Sequence, residues 1–210
     1  MAPGVANQPR GLPLHVTPEN CSGGTFIVTG ANTGLGLEAA KHLVAIGAAK
    51  VIMGVRNVEA GETAKTNIET STGKTGVAEV WKIDLSSYDS VKAFAKKAST
   101  ELERVDALIE NAAVAMAGRV LAEGHQLPIT VNVFSTFLLA ALMFPKLRDG
   151  AKKFGIVPHL SIVASTAGYD HEEHWDMIKE DPIVKTDEES MVPLVLYEQS
   201  QSRRSFLEPS

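Results

Sequence analysis

The sequence predicts an α/β fold, a doubly wound and Rossmann-like parallel sheet, on three observations. Apolar segments rich in β-branched residues alternate with segments whose apolar residues recur at helical spacing. The first of these strands ends in a glycine-punctuated turn that leads directly into a helix. Strands and helices that alternate in this way form parallel sheets with right-handed crossovers. We therefore expect one sheet with helices on both of its faces.

Composition supports a single domain. The chain has 210 residues, of which 44% are hydrophobic, enough for one core and too few for two domains. Residues 1–20 carry four prolines among glycine and polar residues, a composition that breaks both helix and strand. These residues are predicted to be an N-terminal arm, and residues 21–210 to be the domain.

Charge and cysteine content exclude several classes of protein. The net charge is -5, with acidic and basic residues interleaved, which argues against a nucleic-acid surface. The single cysteine, Cys21, cannot form an internal disulfide. No run approaches the roughly 20 apolar residues of a membrane span, and no secretory signal is recognisable at the start. A cytoplasmic protein without a membrane span is expected.

The predicted elements follow in chain order. Five strands are expected at residues 25–29, 50–55, 77–83, 106–109 and 159–164. Helices are expected after the glycine turn as far as Gly47, over 58–70, after a cap at Ser86 or Ser87, and as a largely buried segment within 123–147. Residues 169–191 are predicted to be an irregular acidic excursion over the strand ends.

The turn after the first strand predicts a nucleotide site. Glycine lets a backbone approach a ligand closely, and a helix N-terminus attracts anions. A buried strand, a glycine turn and a helix start therefore indicate a cradle for the diphosphate of a dinucleotide. The alternative is that the glycines serve only a tight turn. The residues predicted to contact the cofactor here are Thr29, Gly30, Asn32, Thr33, Gly34, Leu35 and Gly36.

The end of the second strand discriminates between the two nicotinamide cofactors. An acidic residue there would bind the ribose of NAD, whereas a cation suits the extra phosphate of NADP. This chain has Arg56 followed by Asn57, and a guanidinium can bind phosphate through two parallel hydrogen bonds. The predicted cofactor is NADP(H), with Arg56 and Asn57 at its site. A solvated surface arginine is the alternative.

These segments resemble the short-chain dehydrogenase/reductase family, in particular its retinol-dehydrogenase-like and fungal biosynthetic-cluster branches, over residues 23–201. The resemblance implies that Asp84 and Leu85 contact the adenine, although Asp84 also suits the approach to a helix. It implies that Asn111 braces the fourth strand and the cofactor ribose region, and that Ala112 lies beside it at the cofactor site. The family pattern there is Asn-Asn-Ala-Gly, so the flanking Glu110 and Ala113 depart from it.

The resemblance also implies an activity. Members transfer a hydride between the nicotinamide and a carbonyl or alcohol carbon, here of a small hydrophobic metabolite in secondary-metabolite biosynthesis. Ser165 matches the serine that holds the substrate oxygen, although a serine at a strand end also serves turns. Asn132 matches the asparagine that breaks the long helix and holds a water in the proton relay. Tyr197 matches the tyrosine that passes the proton and contacts the cofactor.

The position that follows Tyr197 by four departs from the family. Gln201 stands where the family has a lysine, whose ammonium lowers the pKa of the tyrosine phenol. Because glutamine is neutral, weak or absent turnover is expected. Only nine residues follow Gln201, so the last strands of the family fold are expected to be missing and the fifth strand to become an edge. A divergent remnant and a shortened gene model are both open.

Other interpretations of these motifs are also open. A catalytically impaired pseudoenzyme that binds a nucleotide or a protein partner would keep the cradle and lose the chemistry. The segment from His171 to His174 resembles a metal site, but it lacks the HExxH spacing, so a solvated acidic loop is preferred and no metal is expected. Gly73-Lys74-Thr75 lacks the first glycine of a P-loop. The expected partner is a small carbonyl or alcohol substrate, and a homo-oligomer is left open.

Overall fold

The structure, a computed structural model, describes residues 15–115, 118–165 and 172–187. Its strands are β1 Thr25–Thr29, β2 Lys50–Val55, β3 Ala78–Lys82, β4 Ala107–Glu110, β5 Leu121–Ala122, β6 His125–Gln126 and β7 His159–Ile162. Five of them form one parallel sheet in the order β3-β2-β1-β4-β7, and β5 and β6 form a separate antiparallel hairpin. The predicted parallel sheet is confirmed.

Helices cover both faces of this sheet. Helices α2 Gly34–Ala45 and α3 Val58–Thr72 lie on one face, and α4 Tyr88–Glu101 and α6 Thr136–Phe154 on the other. The alternation of side chains along β1 separates the two cores. Phe26 and Val28 pack with residues of α2 and α3, whereas Ile27 between them packs with residues of α4 and α6. The sheet is therefore doubly wound, as predicted.

Capping residues set the ends of two helices. The Asn57 side chain accepts a hydrogen bond from the amide of Ala60 at 3.1 Å and begins α3. The Ser87 hydroxyl accepts one from the amide of Ser90 at 3.4 Å and begins α4, which selects Ser87 over Ser86 as the cap. Gly73 ends α3 with φ at 67°, a left-handed conformation that glycine adopts without strain.

The long helical segment predicted within 123–147 is wrong at its start. Residues 121–126 form the β5–β6 hairpin, whose turn residues Glu123 and Gly124 have φ of 53° and 86°. Helical structure begins only with α5 Leu127–Ile129, continues as a π-helical turn Thr130–Ser135 and then becomes α6. The hairpin forms because two consecutive residues adopt positive φ, a geometry typical of a two-residue hairpin loop.

Two segments predicted to be irregular contain helices. Helix α1 spans Pro18–Cys21 inside the predicted arm, because proline is tolerated in the first turn of a helix. The adjoining Val16 carbonyl lies 2.9 Å from Nε2 of His42, so this segment contacts the domain. Between 169 and 191, residues form α7 Glu172–Ile178 and α8 Pro182–Asp187. The acidic composition there reflects exposed helices.

The last strand is an edge within the described part of the chain, as expected. All four residues of β7 are exposed, whereas all five residues of β1 are buried. By length and composition alone, one helical stretch among the described residues, Leu127–Phe154, could cross a membrane. The expectation concerned unbroken apolar runs, whereas polar residues interrupt this stretch, which is apolar only on average. Leu139, Met143 and Leu147 of this stretch lie in the core.

Candidate active site

The glycine turn brings β1, β4 and α2 into close contact. A Cβ on Gly36 would lie 2.5 Å from the carbonyl oxygen of Gly30 and 2.5 Å from Nδ2 of Asn111. A Cβ on Gly30 would lie 2.9 Å from the Cα of Ala112, and Gly30 also has φ at 67°. Neither position can hold a side chain without displacing the backbone. The turn therefore requires glycine at both positions.

The N-terminus of α2 opens to solvent beside this turn. Gly34 begins the helix with φ at 57°, and an added Cβ there would meet open space. Thr33 precedes it without a side-chain capping hydrogen bond. Thr33, Gly34 and Leu35 are exposed, with Leu35 at 75%, and Asn32 is half-buried. An exposed helix start with free amides behind a glycine turn fits the diphosphate of a dinucleotide.

Thr29 and Asn111 join β1 to β4 beneath the turn. The Thr29 hydroxyl accepts hydrogen bonds from the amides of Asn111 and Ala112 at 3.0 and 3.1 Å. Nδ2 of Asn111 donates to the carbonyl of Thr29 at 3.1 Å. Thr29 is 1% exposed, so it supports the turn from below. Asn111 braces the two strands, while Asn111 and Ala112 stay half-buried at the site.

Arg56 lies at the neighbouring edge of the cradle. It follows β2 directly and is exposed, and β2 pairs with β1 so that Gly54 is opposite Thr29. The amide of Gly30 donates to the carbonyl of Gly54 at 2.7 Å, which joins the glycine turn to the end of β2. Asn57 uses its side-chain oxygen to cap α3. Of these two predicted residues, Arg56 thus has the side chain available for a phosphate.

The two residues predicted at the adenine have different surroundings. Asp84 is half-buried, and its Oδ1 accepts hydrogen bonds from the amide and the hydroxyl of Ser86 at 2.9 and 2.6 Å. Leu85 is 6% exposed and packs in the core on the α4 side of the sheet. The Leu85 side chain therefore stabilises the core, and only its backbone is left to meet a nucleotide.

Asn132 lies in the π-helical turn that precedes α6. Its Oδ1 accepts from the amide of Val114 and its Nδ2 donates to the carbonyl of Val114, both at 2.9 Å. This reciprocal pair ties the turn to the segment that follows β4. Because an amide oxygen can accept twice and an amide nitrogen can donate twice, the exposed Asn132 keeps hydrogen-bonding capacity for a water or a substrate.

Ser165 follows β7 at the same edge of the sheet. β7 pairs with β4, and the amide of Val163 donates to the carbonyl of Glu110 at 2.9 Å. The carboxyl ends of parallel strands meet at one edge, so Ser165, Asn111 and the glycine turn share it. Tyr197, Gln201 and His171 lie outside the described residues. Among the residues described, no group of three or more His, Cys, Asp or Glu could hold a metal.

Two features of the structure, one at this edge and one at the β5–β6 hairpin, escaped the sequence analysis. Glu110 is 3% exposed, and neither of its carboxyl oxygens has a hydrogen-bond partner. Burial raises the pKa of Glu110 to about 8. The sequence did carry a signal for this feature, because Glu110 stands where the family pattern has asparagine. The second feature is a contact of Asp187 with His125 at 2.6 Å, which nothing in the local sequence indicates because 62 residues separate the two.

Comparison with known proteins decides the family. The profile described as short chain dehydrogenase matches residues 24–176. The chain belongs to this family. The chain is 49% identical over 147 residues to the short chain dehydrogenase/reductase dmxR8 of Cryptosporiopsis sp. (strain 8999), a match that covers 70% of the chain and 45% of that protein. It is 38% identical over 187 residues to the short-chain dehydrogenase fogG of Aspergillus ruber (strain CBS 135680), covering 86% and 51%.

Solved structures agree with this assignment. The chain resembles the RhlG/NADP active-site complex of Pseudomonas aeruginosa with a TM-score of 0.59 and 25% identity, over 70% of this chain and 56% of that one. It resembles a short chain dehydrogenase of Escherichia coli CFT073 complexed with NADPH with the same TM-score of 0.59 and the same 25% identity, over 73% of this chain and 63% of that one. The chain spans about half the length of the curated relatives it matches.

Proposed function

We propose that this protein is an NADP(H)-dependent oxidoreductase that interconverts a carbonyl and an alcohol on a small hydrophobic metabolite in secondary metabolism. The observation that carries the proposal is the exposed, uncapped start of α2 behind glycines that leave no room for a Cβ. Family membership supplies the reaction class, and the fungal relatives support the biosynthetic setting.

Arg56 supports NADP(H) over NAD(H). It is an exposed cation at the end of β2, next to the strand that carries the glycine turn. A guanidinium at this position would bind the additional phosphate of NADP(H) through charge-assisted hydrogen bonds. Two structural neighbours were solved with NADP or NADPH.

The proposed chemistry divides among three side chains. The bound nicotinamide would supply or accept the hydride. The Ser165 hydroxyl would hold the substrate oxygen, and the Tyr197 phenol would transfer a proton to or from it. Asn132, fixed by Val114, would hold a water in the path of that proton. Gln201 cannot supply the positive charge that lowers the pKa of a phenol, so the proton transfer is expected to be slow.

A calorimetric titration tests the cofactor assignment. The full chain is expected to bind NADPH more tightly than NADH. NADPH consumption with 4-nitrobenzaldehyde as a carbonyl probe then tests the reaction. Equal or tighter binding of NADH would overturn the assignment to NADP(H).

The neutral residue at the lysine position favours a second candidate function, a pseudoenzyme that binds the nucleotide and no longer turns it over. NADPH binding without consumption of NADPH across a panel of aldehydes and ketones would favour this candidate over the enzyme.

Replacing Gln201 by Lys tests the proposed cause of slow turnover. The ammonium should lower the pKa of the Tyr197 phenol and raise the rate of NADPH-dependent reduction by on the order of a hundredfold, since such electrostatic help is worth a few kcal/mol. Gln201→Met, which has similar size and no charge, is the matched control. An equal rate in the Lys and Met variants would contradict this account.

A further inference from the structure

The β5–β6 hairpin is joined to three other parts of the molecule. At its turn, Oε1 of Glu123 accepts a hydrogen bond from the amide of Tyr88, the first residue of α4, at 2.8 Å. Next to this turn, the carbonyl of Ala122 accepts a hydrogen bond from the Thr130 hydroxyl of the π-helical turn at 2.7 Å. On its remaining side it contacts α8. The hairpin therefore links α4, α8 and the turn that carries Asn132.

Asp187, a residue of α8, makes the contact between this helix and the hairpin. Its Oδ2 accepts from Nδ1 of His125 at 2.6 Å, and its Oδ1 accepts from the amide of Gln126 at 2.8 Å. The side chains of Asp187 and His125 are 22% and 33% exposed, so solvent screens this pair only in part. Because a carboxylate can only accept hydrogen bonds, His125 donates from Nδ1. Both carboxylate oxygens are thus engaged by the hairpin.

The hydrogen bonds of Asp187 are directed away from its own helix. Asp187 is the last residue of α8 that the structure describes. Among the described residues, its carboxylate is hydrogen-bonded to the hairpin and not to α8 itself.

His125 passes the contact on to the π-helical turn. Its ring packs edge-to-face on the ring of Phe134, with centroids 4.9 Å apart and planes at 71°. Phe134 belongs to the same six-residue turn as Asn132. A continuous series of contacts therefore runs from Asp187 through His125 and Phe134 to the turn that presents the Asn132 side chain.

We propose that Asp187 is a positioning residue for Asn132, acting through His125 and Phe134, and that α8 thereby holds the proton-relay side of the site in place. This inference rests on the proposed function for the role of Asn132. The contacts that carry it belong to the described residues and do not depend on which substrate is turned over. Loss of the Asp187 carboxylate should loosen α8 and the π-helical turn together.

Hydrogen–deuterium exchange of the full chain, with and without NADPH, tests this coupling. Asp187→Ala is expected to speed amide exchange both in α8 and in Thr130–Ser135 by about tenfold or more, the factor that corresponds to a lost charge-assisted hydrogen bond. Asp176→Ala is the matched control, because Asp176 lies in α7 and pairs at 2.9 Å with Lys179 next to that helix. Faster exchange in α8 with unchanged exchange in Thr130–Ser135 would overturn the proposal.

A second variant keeps the test decisive if Asp187→Ala fails to fold. His125→Phe keeps an aromatic ring against Phe134 and removes the donor to Asp187. It should loosen α8 and also Thr130–Ser135, as Asp187→Ala does, but Thr130–Ser135 should loosen less than in His125→Ala, which removes the ring contact as well. Equal protection of Thr130–Ser135 in these two variants would contradict transmission through the ring.

Turnover adds a readout that a purely structural role would not move. With NADPH and 4-nitrobenzaldehyde, Asp187→Ala should lower kcat several-fold and leave the Kd of NADPH unchanged, and Asp187→Asn, which keeps the acceptor for Gln126, should recover part of the loss. A weakened Kd with unchanged kcat would count against the proposal. A parent chain that binds NADPH without turnover but shows coupled exchange would count against the proposed oxidoreductase activity and still support the coupling of Asp187 to the turn that carries Asn132.

Discussion

The side chain of Glu110 lies in the core at the carboxyl end of β4 without a hydrogen-bond partner, so its ionisation opposes folding. Burial raises the pKa of Glu110 from 4.5 to about 8. Between these values the native chain keeps a proton that the unfolded chain releases. The free energy of unfolding should therefore fall by about 1.4 kcal/mol per pH unit as the pH rises through this window, and level off above it.

Glu110→Gln should remove this dependence, because glutamine stays neutral with nearly the same shape. The variant should exceed the parent in stability by an amount that grows from pH 5 to pH 8, as measured by urea unfolding at several pH values. Glu62→Gln, at an exposed side chain on α3, is the control and should leave the slope unchanged. Parallel profiles for the parent and Glu110→Gln would show that the carboxyl is ionised in the native chain.

The Arg56 side chain is expected to determine the choice of cofactor. Arg56→Ala should weaken NADPH binding by about 10- to 100-fold, the loss expected for hydrogen bonds to a charged group, and change NADH binding little. Calorimetric titration with both nucleotides measures the difference. Arg148→Ala, at an exposed arginine on α6, should change neither. Equal losses for NADPH and NADH would indicate that Arg56 does not contact the additional phosphate.

At the scale of the elements, Gly36 and Gly34 differ in why an added side chain would be destabilising. At Gly36 the cause is close packing, and at Gly34 it is the backbone conformation. Gly36→Ala places a Cβ 2.5 Å from backbone and side-chain atoms, so it should destabilise the chain by about 1–3 kcal/mol and abolish NADPH binding. Gly34→Ala meets open space, so it should cost about 1 kcal/mol from its positive φ. Urea unfolding and NADPH titration compare the two variants. Comparable loss of stability at both glycines would contradict the distinction.

The elements that the sequence predicted well are those with local signals. The glycine turn, the strands before it and after it, and the helix cap expected at Ser86 or Ser87 are specified by residues close together in the chain. The hairpin was missed because Glu123 adopts a positive φ that its residue type rarely shows. The contact of Asp187 with His125 was missed because only the tertiary fold brings them together.

At the scale of the whole molecule, α6 and the π-helical turn before it carry exposed apolar side chains that we expect to mediate self-association. Val133, Phe137 and Phe144 are 39%, 60% and 60% exposed, and the first two line an open groove of about 610 Å³ beside Tyr88. Light scattering after size exclusion should show a dimer of the parent and a smaller mass for Phe137→Glu with Phe144→Glu. Lys152→Gln, on the last turn of α6, is the control. A monomeric parent would contradict this expectation.

The exposed edge of β7 is expected to promote association of the protein in concentrated solution. Within the described residues this strand has one neighbour, and Leu160, Ile162 and Val163 at its end are 42%, 40% and 47% exposed. Free amides and carbonyls along such an edge can pair with a second molecule, a step whose rate rises with the square of concentration. Colloidal stability should therefore be limited by protein concentration more than by temperature, and a lysine on this strand should extend it.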